Sequence, residues 1–181
     1  MAQLNDEDKL KLIKEAVKSY PDFPVAGVLF RDLFSVLQNP PLFALLKELL
    51  TKKAQEIAPA VQSVVGLDAR GFLLGPLIAL ELQIPFVPIR KKGKLPGKVR
   101  SLKYALEYGE DTVEIQEGAI RPGERVLIVD DLLATGGTLN AACQLVEQVG
   151  GQVVRSMIVI ELVGLKGRAK LPVEVTSLIQ F

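Results

Sequence analysis

Histidine is absent from this sequence of 181 residues, and cysteine occurs once, as Cys143. Without histidine, a Ser-His-Asp or Cys-His nucleophile system and a histidine-based zinc site are excluded. Any acid–base chemistry must therefore rely on carboxylates, lysine or tyrosine. A single cysteine cannot form an intramolecular disulfide, which is typical of proteins from a reducing compartment.

Long apolar segments and a strong net charge are also lacking. Apolar runs such as FLLGPLIAL are too short to span a bilayer, and the polar N-terminal segment MAQLNDEDK is unlike a signal peptide. The formal net charge is +1, which gives no overall attraction to nucleic acid or to an anionic membrane. We therefore expect a cytoplasmic protein with no nucleic-acid partner and no membrane partner.

The remaining composition and its periodicity predict an α/β fold. Hydrophobic residues make up 49% of the chain and charged residues 24%, which suits one packed domain over residues 1–181. Continuous apolar runs (SVVGL, PFVPI, VLIV and VVRSMIVIEL) alternate with helical stretches. This alternation indicates a central parallel sheet that is flanked by helices on both faces. The segments KYALEY and TVEIQ are expected to form a hairpin on its edge.

The N-terminal part has a different pattern. Apolar spacing predicts one helix over residues 6–19, with Asn5 as its N-cap, and a second helix over residues 41–57. Between them, YPDFPVAGVLFRDL is interrupted by prolines and a glycine, which is typical of a structured loop.

Three polar loops begin where an apolar strand is predicted to end: GLDARG, RKKGKLPGK and DDLLATGGT. In open α/β sheets, ligands bind just beyond the carboxyl ends of the strands. We therefore expect these three loops to lie along one rim of the sheet.

The segment ATGGT, residues 134–138, directly precedes a predicted helix. Its two glycines allow the backbone to present N–H groups, and the helix N-terminus adds the positive end of a dipole. The hydroxyl groups of Thr135 and Thr138 are further donors. This segment is a candidate phosphate cradle, although it is neither a Walker A loop nor a G-x-G-x-x-G loop.

Two adjacent carboxylates, Asp130 and Asp131, precede this cradle. Beside a phosphate they make sense if they face another part of the same ligand, such as the two hydroxyl groups of a ribose. A divalent cation could be held near them as well. The plainer alternative is a strand-to-helix turn with aspartate as a cap and glycine for tightness. The two halves together favour a site for ribose 5-phosphate.

These segments resemble the type I phosphoribosyltransferases. VLIVDDLLATGGTL is similar to their motif for 5-phosphoribosyl 1-pyrophosphate (PRPP). Five further segments resemble the adenine branch of the family in their order and spacing: FPVAGVLFRDL, GLDARGFLLGP, IRKKGKLPGK, ALEYGEDTVEIQ and ELVGLKGRAKL. The resemblance covers essentially the whole chain, and GKLPG with LEYG points to the adenine branch. One departure is Ala26, where many relatives have a proline.

The resemblance implies a fold and an activity. The fold is a central parallel sheet with a small N-terminal hood over the base site, at about residues 20–35. The activity is the Mg²⁺-dependent conversion of adenine and PRPP to AMP and pyrophosphate in purine salvage, by a homodimer. Two rivals remain: the same chemistry on another base, and a non-catalytic regulator that binds PRPP or a nucleotide.

The resemblance also assigns residues to roles. To PRPP or AMP it assigns Asp130, Asp131, Ala134, Thr135, Gly136, Gly137, Thr138, Arg70, Arg90, Lys94 and Tyr108. To adenine it assigns Leu29, Phe30, Arg31 and Leu162, and to catalysis Glu107, Asp131, Lys94 and Arg70. No residue is assigned directly to the metal, which is expected to arrive with PRPP and to lie near Asp130. The backbone before Ala69 is expected to be unusual, with a cis peptide as one form.

Several of these residues have plainer interpretations from the sequence alone. Arg70 also suits a surface ion pair, Phe30 suits the core, and Glu107 suits an ordinary edge strand. The segment from Arg90 to Lys103 carries seven basic residues and no acidic one. It could be a solvated loop, a nucleic-acid patch, or a flexible lid (about residues 90–103) that closes over pyrophosphate. The resemblance favours the lid.

Overall fold

The computed structural model describes residues 4–57, 60–105 and 110–181. The chain divides into two compact units, one that extends to Lys53 and one that begins at Ala54. The first unit contains α1 (Asp6–Ala16), β1 (Lys18–Pro21), β2 (Leu29–Asp32), α2 (Phe34–Leu37) and the greater part of α3 (Pro40–Gln55). In the part of the chain that the structure describes, no helix combines the length and apolar character needed to cross a membrane.

The first unit confirms the two predicted helices and corrects the loop between them. Asn5 caps α1, because its side chain accepts a hydrogen bond of 2.8 Å from the Asp8 N–H. The helix ends at Ala16 rather than residue 19, since β1 begins at Lys18. The loop prediction was wrong at both ends of its segment, where β1 and β2 pair as antiparallel strands. The prolines and the glycine that suggested a loop occupy only the connection between these strands.

The second unit contains a seven-stranded sheet in the order β5-β6-β4-β3-β7-β8-β9. Its strands are β3 (Ser63–Leu67), β4 (Phe86–Lys91), β5 (Val99–Ala105), β6 (Glu110–Gln116), β7 (Arg125–Leu133), β8 (Gln152–Glu161) and β9 (Val175–Gln180). Its helices are α4 (Gly71–Leu82) and α5 (Gly137–Gln148), with short 3-10 turns at Val163–Leu165 and Gly167–Lys170. Whether the whole chain acts as one domain stays a prediction.

The sheet confirms the α/β prediction. β4, β3, β7, β8 and β9 run parallel, and β5 and β6 form the predicted antiparallel hairpin at the edge. Gly75 of α4 lies against Val64 of β3, whereas Val65 belongs to the core cluster of α5. Because neighbouring strand residues point to opposite faces, the two helices cover opposite faces of the sheet.

One strand boundary and one additional strand differ from the expectation based on the sequence. β5 begins at Val99, so the second half of the basic segment is strand, and the connection itself spans only residues 92–98. β9 was not predicted, because VTSLIQ is a half-buried strand without a continuous apolar run.

The strand order places a topological switch point at β3. The chain leaves β3 toward β4 on one side and leaves β7 toward β8 on the other, with β3 and β7 adjacent. β7 pairs with β3 only as far as Val129, but it pairs with β8 as far as Leu133. The end of β7 therefore borders the crevice in which α/β sheets bind ligands.

An ion pair joins the ends of β8 and β9 to the second 3-10 turn. Arg168 in this turn donates to both carboxylate oxygens of Glu161, from Nε at 3.0 Å and from Nη2 at 2.6 Å. Ser177 and Gln180 of β9 also donate to Glu161, at 2.5 Å and 3.2 Å. The Glu161 side chain is only 7% exposed, so its charge is stabilised by these contacts rather than by water.

Glu161→Gln tests this ion pair through the acid dependence of stability. Arg168, with Ser177 and Gln180, lowers the pKa of Glu161 from its ordinary value of 4.5 to about 2. The pair therefore stabilises the fold above the ordinary pKa, and this stabilisation is lost as pH falls through the folded-state pKa. In urea denaturation, we expect the free energy of unfolding to fall more between about pH 5 and pH 2 for wild type than for Glu161→Gln.

Glu174→Gln is the matched control for this measurement. Glu174 also pairs with an arginine of β8, Arg155, at 2.6 Å, but its side chain is 67% exposed. Its substitution should leave the acid dependence close to that of wild type. Parallel pH curves for wild type and Glu161→Gln would contradict the stabilising role of the buried pair.

Candidate active site

A cavity of about 360 Å³ opens at the carboxyl ends of β3, β4 and β7. GLDARG and DDLLATGGT both contribute to its wall, which confirms that these two loops meet along one rim, whereas RKKGKLPGK contributes only Lys91, the last residue of β4. The lining residues are Leu67, Asp68, Ala69, Arg70, Ile89, Lys91, Tyr104, Asp111, Val113, Asp130, Asp131 and Thr138. A second cavity of about 190 Å³ is lined by Arg70 and residues 130–139, so the two cavities share Arg70, Asp130, Asp131 and Thr138.

The loop of residues 134–138 has the geometry expected of an anion cradle. Its centre, Gly136, has φ of +83° and is the N-cap of α5. Glycine has no side chain to accept hydrogen bonds from the first N–H groups of the helix, and residues 136–139 line the second cavity, where these groups can meet an anion. A Cβ atom at Gly136 would collide with the carbonyl oxygen of Gly167. Glycine is therefore required here by both φ and space.

The two aspartates lie within β7 rather than after it, because the strand continues to Leu133. The Asp131 N–H donates to the Asp130 carboxylate at 2.9 Å. Asp131 is 8% exposed and accepts a short hydrogen bond from Nε of Arg70. Burial, reinforced by the negative charge of Asp131, raises the pKa of Asp130 well above its ordinary value. A hydroxyl donor or a cation in the cavity would therefore stabilise both carboxyl groups.

The loop after β3 holds Arg70 and an unusual backbone. The Asp68–Ala69 peptide is cis, as the family resemblance had suggested. Arg70 forms an ion pair, as the plainer interpretation held, but its partner is the candidate catalytic Asp131 and both line the cavity. The Arg90 side chain contacts two neighbouring residues. Its Nε donates to Asp68 at 3.1 Å, and its guanidinium lies 5.7 Å from the ring centre of Phe72.

The basic connection, residues 92–98, is held along β6. The Gly93 N–H donates to Glu114 at 2.8 Å, and the Gln116 side chain donates to the Pro96 carbonyl at 3.1 Å. The Lys94 carbonyl accepts from Arg90 at 3.2 Å. Lys94 does not line either cavity, whereas Lys91 does and pairs with Asp111 at 3.2 Å. The role predicted for Lys94 therefore requires movement of this connection.

Three lining residues of the β4–β6 side were not predicted as site residues: Lys91, Tyr104 and Asp111. The Tyr104 hydroxyl lies 3.4 Å from the hydroxyl of Thr138, so it touches the phosphate cradle from the hairpin. Lys91 lies in the basic segment IRKKGKLPGK, and Tyr104 lies in KYALEY, the first strand of the predicted hairpin. Asp111 lies in ALEYGEDTVEIQ, which resembles the adenine branch, but no role was expected for it, because the antiparallel pairing of β5 with β6 brings it to the rim.

The residues assigned to adenine lie in two places. In the first unit, Phe30 makes an edge contact with Phe23 at 5.0 Å between ring centres, and Arg31 donates to Ser19 at 2.6 Å. Leu29 precedes them at the start of β2 and is exposed. In the second unit, the Leu162 N–H donates to the Leu133 carbonyl at 2.9 Å. Glu107 and Tyr108 lie outside the described residues, and the hood's cover over the base site stays a prediction.

Comparison with known proteins identifies the family to which this chain belongs. The family model for the phosphoribosyl transferase domain matches residues 34–178. An adenine phosphoribosyltransferase from Drosophila pseudoobscura pseudoobscura is 52% identical over 181 residues, which cover 100% of both chains.

Two solved structures have the same fold. Adenine phosphoribosyltransferase from Saccharomyces cerevisiae, complexed with D-2,5-dideoxy-2,5-imino-altritol 1,6-bisphosphate and adenine, has a TM-score of 0.89 and 43% identity over 96% of this chain and 99% of that one. The Trypanosoma brucei enzyme, in complex with AMP, pyrophosphate and ribose-5-phosphate, has a TM-score of 0.84 and 28% identity over 93% of this chain and 78% of that one. This chain therefore belongs to the phosphoribosyltransferase family, in its adenine phosphoribosyltransferase branch.

Proposed function

We propose that this protein transfers the phosphoribosyl group of PRPP to adenine, with Mg²⁺, and releases AMP and pyrophosphate. The observation that carries this proposal is the pair of joined cavities that share Arg70, Asp130, Asp131 and Thr138. The second cavity offers a phosphate cradle, and the wall that the two cavities share offers an arginine for a second anion and two carboxylates. The complexes of the yeast and trypanosome relatives, with adenine in one and AMP and pyrophosphate in the other, support the same substrates here.

The bonding changes define what the protein must do. The bond from the anomeric carbon to pyrophosphate breaks, a bond from that carbon to a ring nitrogen of adenine forms, and that nitrogen loses its proton. As the first bond breaks, the sugar becomes cationic and the pyrophosphate gains charge. Fixed positions and electrostatic stabilisation of these charges can therefore supply much of the rate.

The ribose phosphate is positioned by β7 and the loop that follows it. N–H groups at the start of α5 and the hydroxyls of Thr135 and Thr138 bind the 5′-phosphate, with the backbone of Ala134 and Gly137 completing the loop. Asp130 and Asp131 accept hydrogen bonds from the ribose hydroxyls. The negative charge of one of them also favours the cationic sugar of the transition state.

The pyrophosphate is received by Arg70, whose planar guanidinium suits phosphate oxygens. In the structure its Nε donates to Asp131. Substrate binding would bring both an anion for Arg70 and hydroxyl donors for Asp131, so each group exchanges one partner for another. The ion pair thus holds two catalytic groups in position before the substrate arrives. Arg90 supports this loop through Asp68, which it contacts at 3.1 Å.

The carboxylates also fit the proposed magnesium. Among the described residues, no group of three or more His, Cys, Asp or Glu side chains could hold a metal ion alone. Magnesium is commonly held by one or two carboxylates together with substrate phosphates, and Asp130 and Asp131 could supply such oxygens. When bound, it would supply positive charge that stabilises the departing pyrophosphate.

The remaining assignments belong to the same proposal. Phe30 and Leu162 would stack on the two faces of adenine, backbone groups of Leu29 and Arg31 would read its edge, and Glu107 would accept its proton. Tyr108 would lie beside the sugar. We also propose a homodimer located in the cytoplasm.

Asp131→Asn tests the proposed chemistry, with AMP formation from adenine, PRPP and Mg²⁺ as the assay. The substitution keeps the shape of the side chain but removes the charge that faces Arg70 and the sugar. We expect kcat/KM to fall by about one to three orders of magnitude, which is typical of one lost charged contact in a transition state. Glu174→Gln, a distant exposed carboxylate, should keep full activity. A wild-type protein that makes no AMP would refute the function, and a fully active Asp131→Asn would remove Asp131 from the mechanism.

Gly136→Ala tests the phosphate cradle. The added methyl group would collide with the Gly167 carbonyl, at a φ of +83° that disfavours alanine. AMP and PRPP both carry the 5′-phosphate, so calorimetry should give weaker binding of both, by about one to two orders of magnitude. Gly118→Ala is the matched control, because Gly118 has φ of +79° and open space around its missing side chain. Equal AMP affinities for the two variants would place the phosphate elsewhere.

Lys94→Ala separates the three interpretations of the basic segment. If Lys94 closes over pyrophosphate, kcat/KM for PRPP should fall by about one to three orders of magnitude. AMP binding should hardly change, because AMP has no pyrophosphate. A nucleic-acid patch instead predicts lost RNA or DNA binding with normal transferase activity, and a solvated loop predicts no change.

Two further measurements complete this test. Lys98→Ala, in the same connection, is the control for a general loss of positive charge. The segment between Lys91 and Arg100 should also become resistant to protease when PRPP and Mg²⁺ are present, since closure orders a lid. If the rate of cleavage is the same with and without PRPP, and the Lys94→Ala enzyme is active, the interpretation of this segment as a lid is wrong.

A further inference from the structure

The segment ELVGLKGRAKL, residues 161–171, has no role in the proposed chemistry apart from Leu162, yet it touches the phosphate cradle. A Cβ atom at Gly167 would collide with the carbonyl oxygen of Ala134 and would lie 2.9 Å from the Gly136 nitrogen. From the other side, a Cβ atom at Gly136 would collide with the carbonyl oxygen of Gly167. The backbones of the cradle and of this segment are therefore in direct contact, with no room for a side chain between them.

Gly167 has no side chain to anchor it, so its position must come from its neighbours. The next residue, Arg168, donates to both oxygens of Glu161 at 3.0 Å and 2.6 Å. Its third nitrogen, Nη1, donates to the Val175 carbonyl at 2.5 Å. A planar guanidinium held at three points fixes the direction of its own backbone, and hence the position of the adjacent Gly167.

Glu161, the anchor of Arg168, is itself fixed beside the cradle. It pairs in register with Leu133 of β7, the residue immediately before Ala134. Ser177 and Gln180 hold its carboxylate from β9. One strand position therefore supports both the beginning of the cradle and the ion pair that presses Gly167 against it.

We propose that Arg168 is a positioning residue for the 5′-phosphate site: its forked ion pair with Glu161 holds Gly167 against the loop of residues 134–138. This inference rests on the proposed function, because it assumes that this loop binds the phosphate of PRPP and AMP. Arg168 touches no substrate in this account. It acts by fixing the loop in the shape that presents its N–H groups, and preorganised donors of this kind depend on their supporting contacts.

The test compares two ligands that use different parts of the site. AMP depends on the cradle, whereas pyrophosphate with Mg²⁺ depends on Arg70 and the loop after β3. Calorimetry on Arg168→Gln should give an AMP Kd raised by about ten- to a hundredfold, as expected when binding groups are misplaced by about 1 Å. The Kd of pyrophosphate should stay within about twofold of wild type. Arg168→Lys keeps the charge but loses the fork, and should be intermediate.

Arg155 provides the matched control. It also joins β8 to the β9 side, through Glu174 at 2.6 Å and Thr176 at 3.3 Å, but it is not part of the 3-10 turn. Arg155→Gln should lower thermal stability without changing the ratio of the AMP and pyrophosphate affinities. If Arg168→Gln does not fold, Gly167→Ala takes its place, because its methyl group displaces the same contact and should weaken AMP selectively.

Two results would overturn the proposal. One is a folded Arg168→Gln or Gly167→Ala protein with unchanged AMP affinity. The other is an equal loss of AMP and pyrophosphate binding, which would mean a general structural role. Failure of the proposed function is separate: a wild-type protein that binds AMP but forms none from adenine and PRPP would refute the function, while the comparison of affinities would still decide the role of Arg168.

Discussion

The unequal pairing of β7 with its two neighbours determines where the site lies. β3 accompanies β7 only to Val129, whereas β8 continues to Leu133. Beyond Val129, one side of the strand is still held in the sheet and the other borders the cavity. Asp130 and Asp131 therefore lie within the strand and also line the cavity, where the proposed ligand would meet them. The candidate phosphate cradle follows directly, so only a few residues of backbone separate the proposed sugar site from the proposed phosphate site.

The rigidity of this region depends on contacts from segments that are distant in sequence. Arg70 holds Asp131, Arg90 holds Asp68, and the turn at Gly167 abuts the cradle. Because these contacts already order the groups, little further free energy is needed to order them when the substrate binds. The basic connection differs, since its residues are held along β6 and Lys94 lines neither cavity. A contact between Lys94 and pyrophosphate therefore stays a prediction, and it requires this connection to move.

Much of the fold could be predicted from the sequence because its signals are local. Continuous apolar runs identified β3, β4, β7 and β8, and the glycines of ATGGT before a helix predicted the loop that lines the second cavity. The strands β1, β2 and β9 were missed, since short or half-buried strands lack such runs. The contributions of Tyr104, Asp111 and Arg168 were missed for another reason. They depend on which strands become neighbours, and no local pattern encodes that pairing.

The choice of acceptor base is the central claim that a single measurement tests most directly. Purified protein would receive adenine, hypoxanthine, guanine and orotate at equal concentrations, with limiting PRPP and Mg²⁺, and the nucleotide products would be separated chromatographically. We expect AMP to be the dominant product and pyrophosphate to be released in equal amount. A larger yield of the hypoxanthine, guanine or orotate nucleotide, or no nucleotide at all, would contradict this claim.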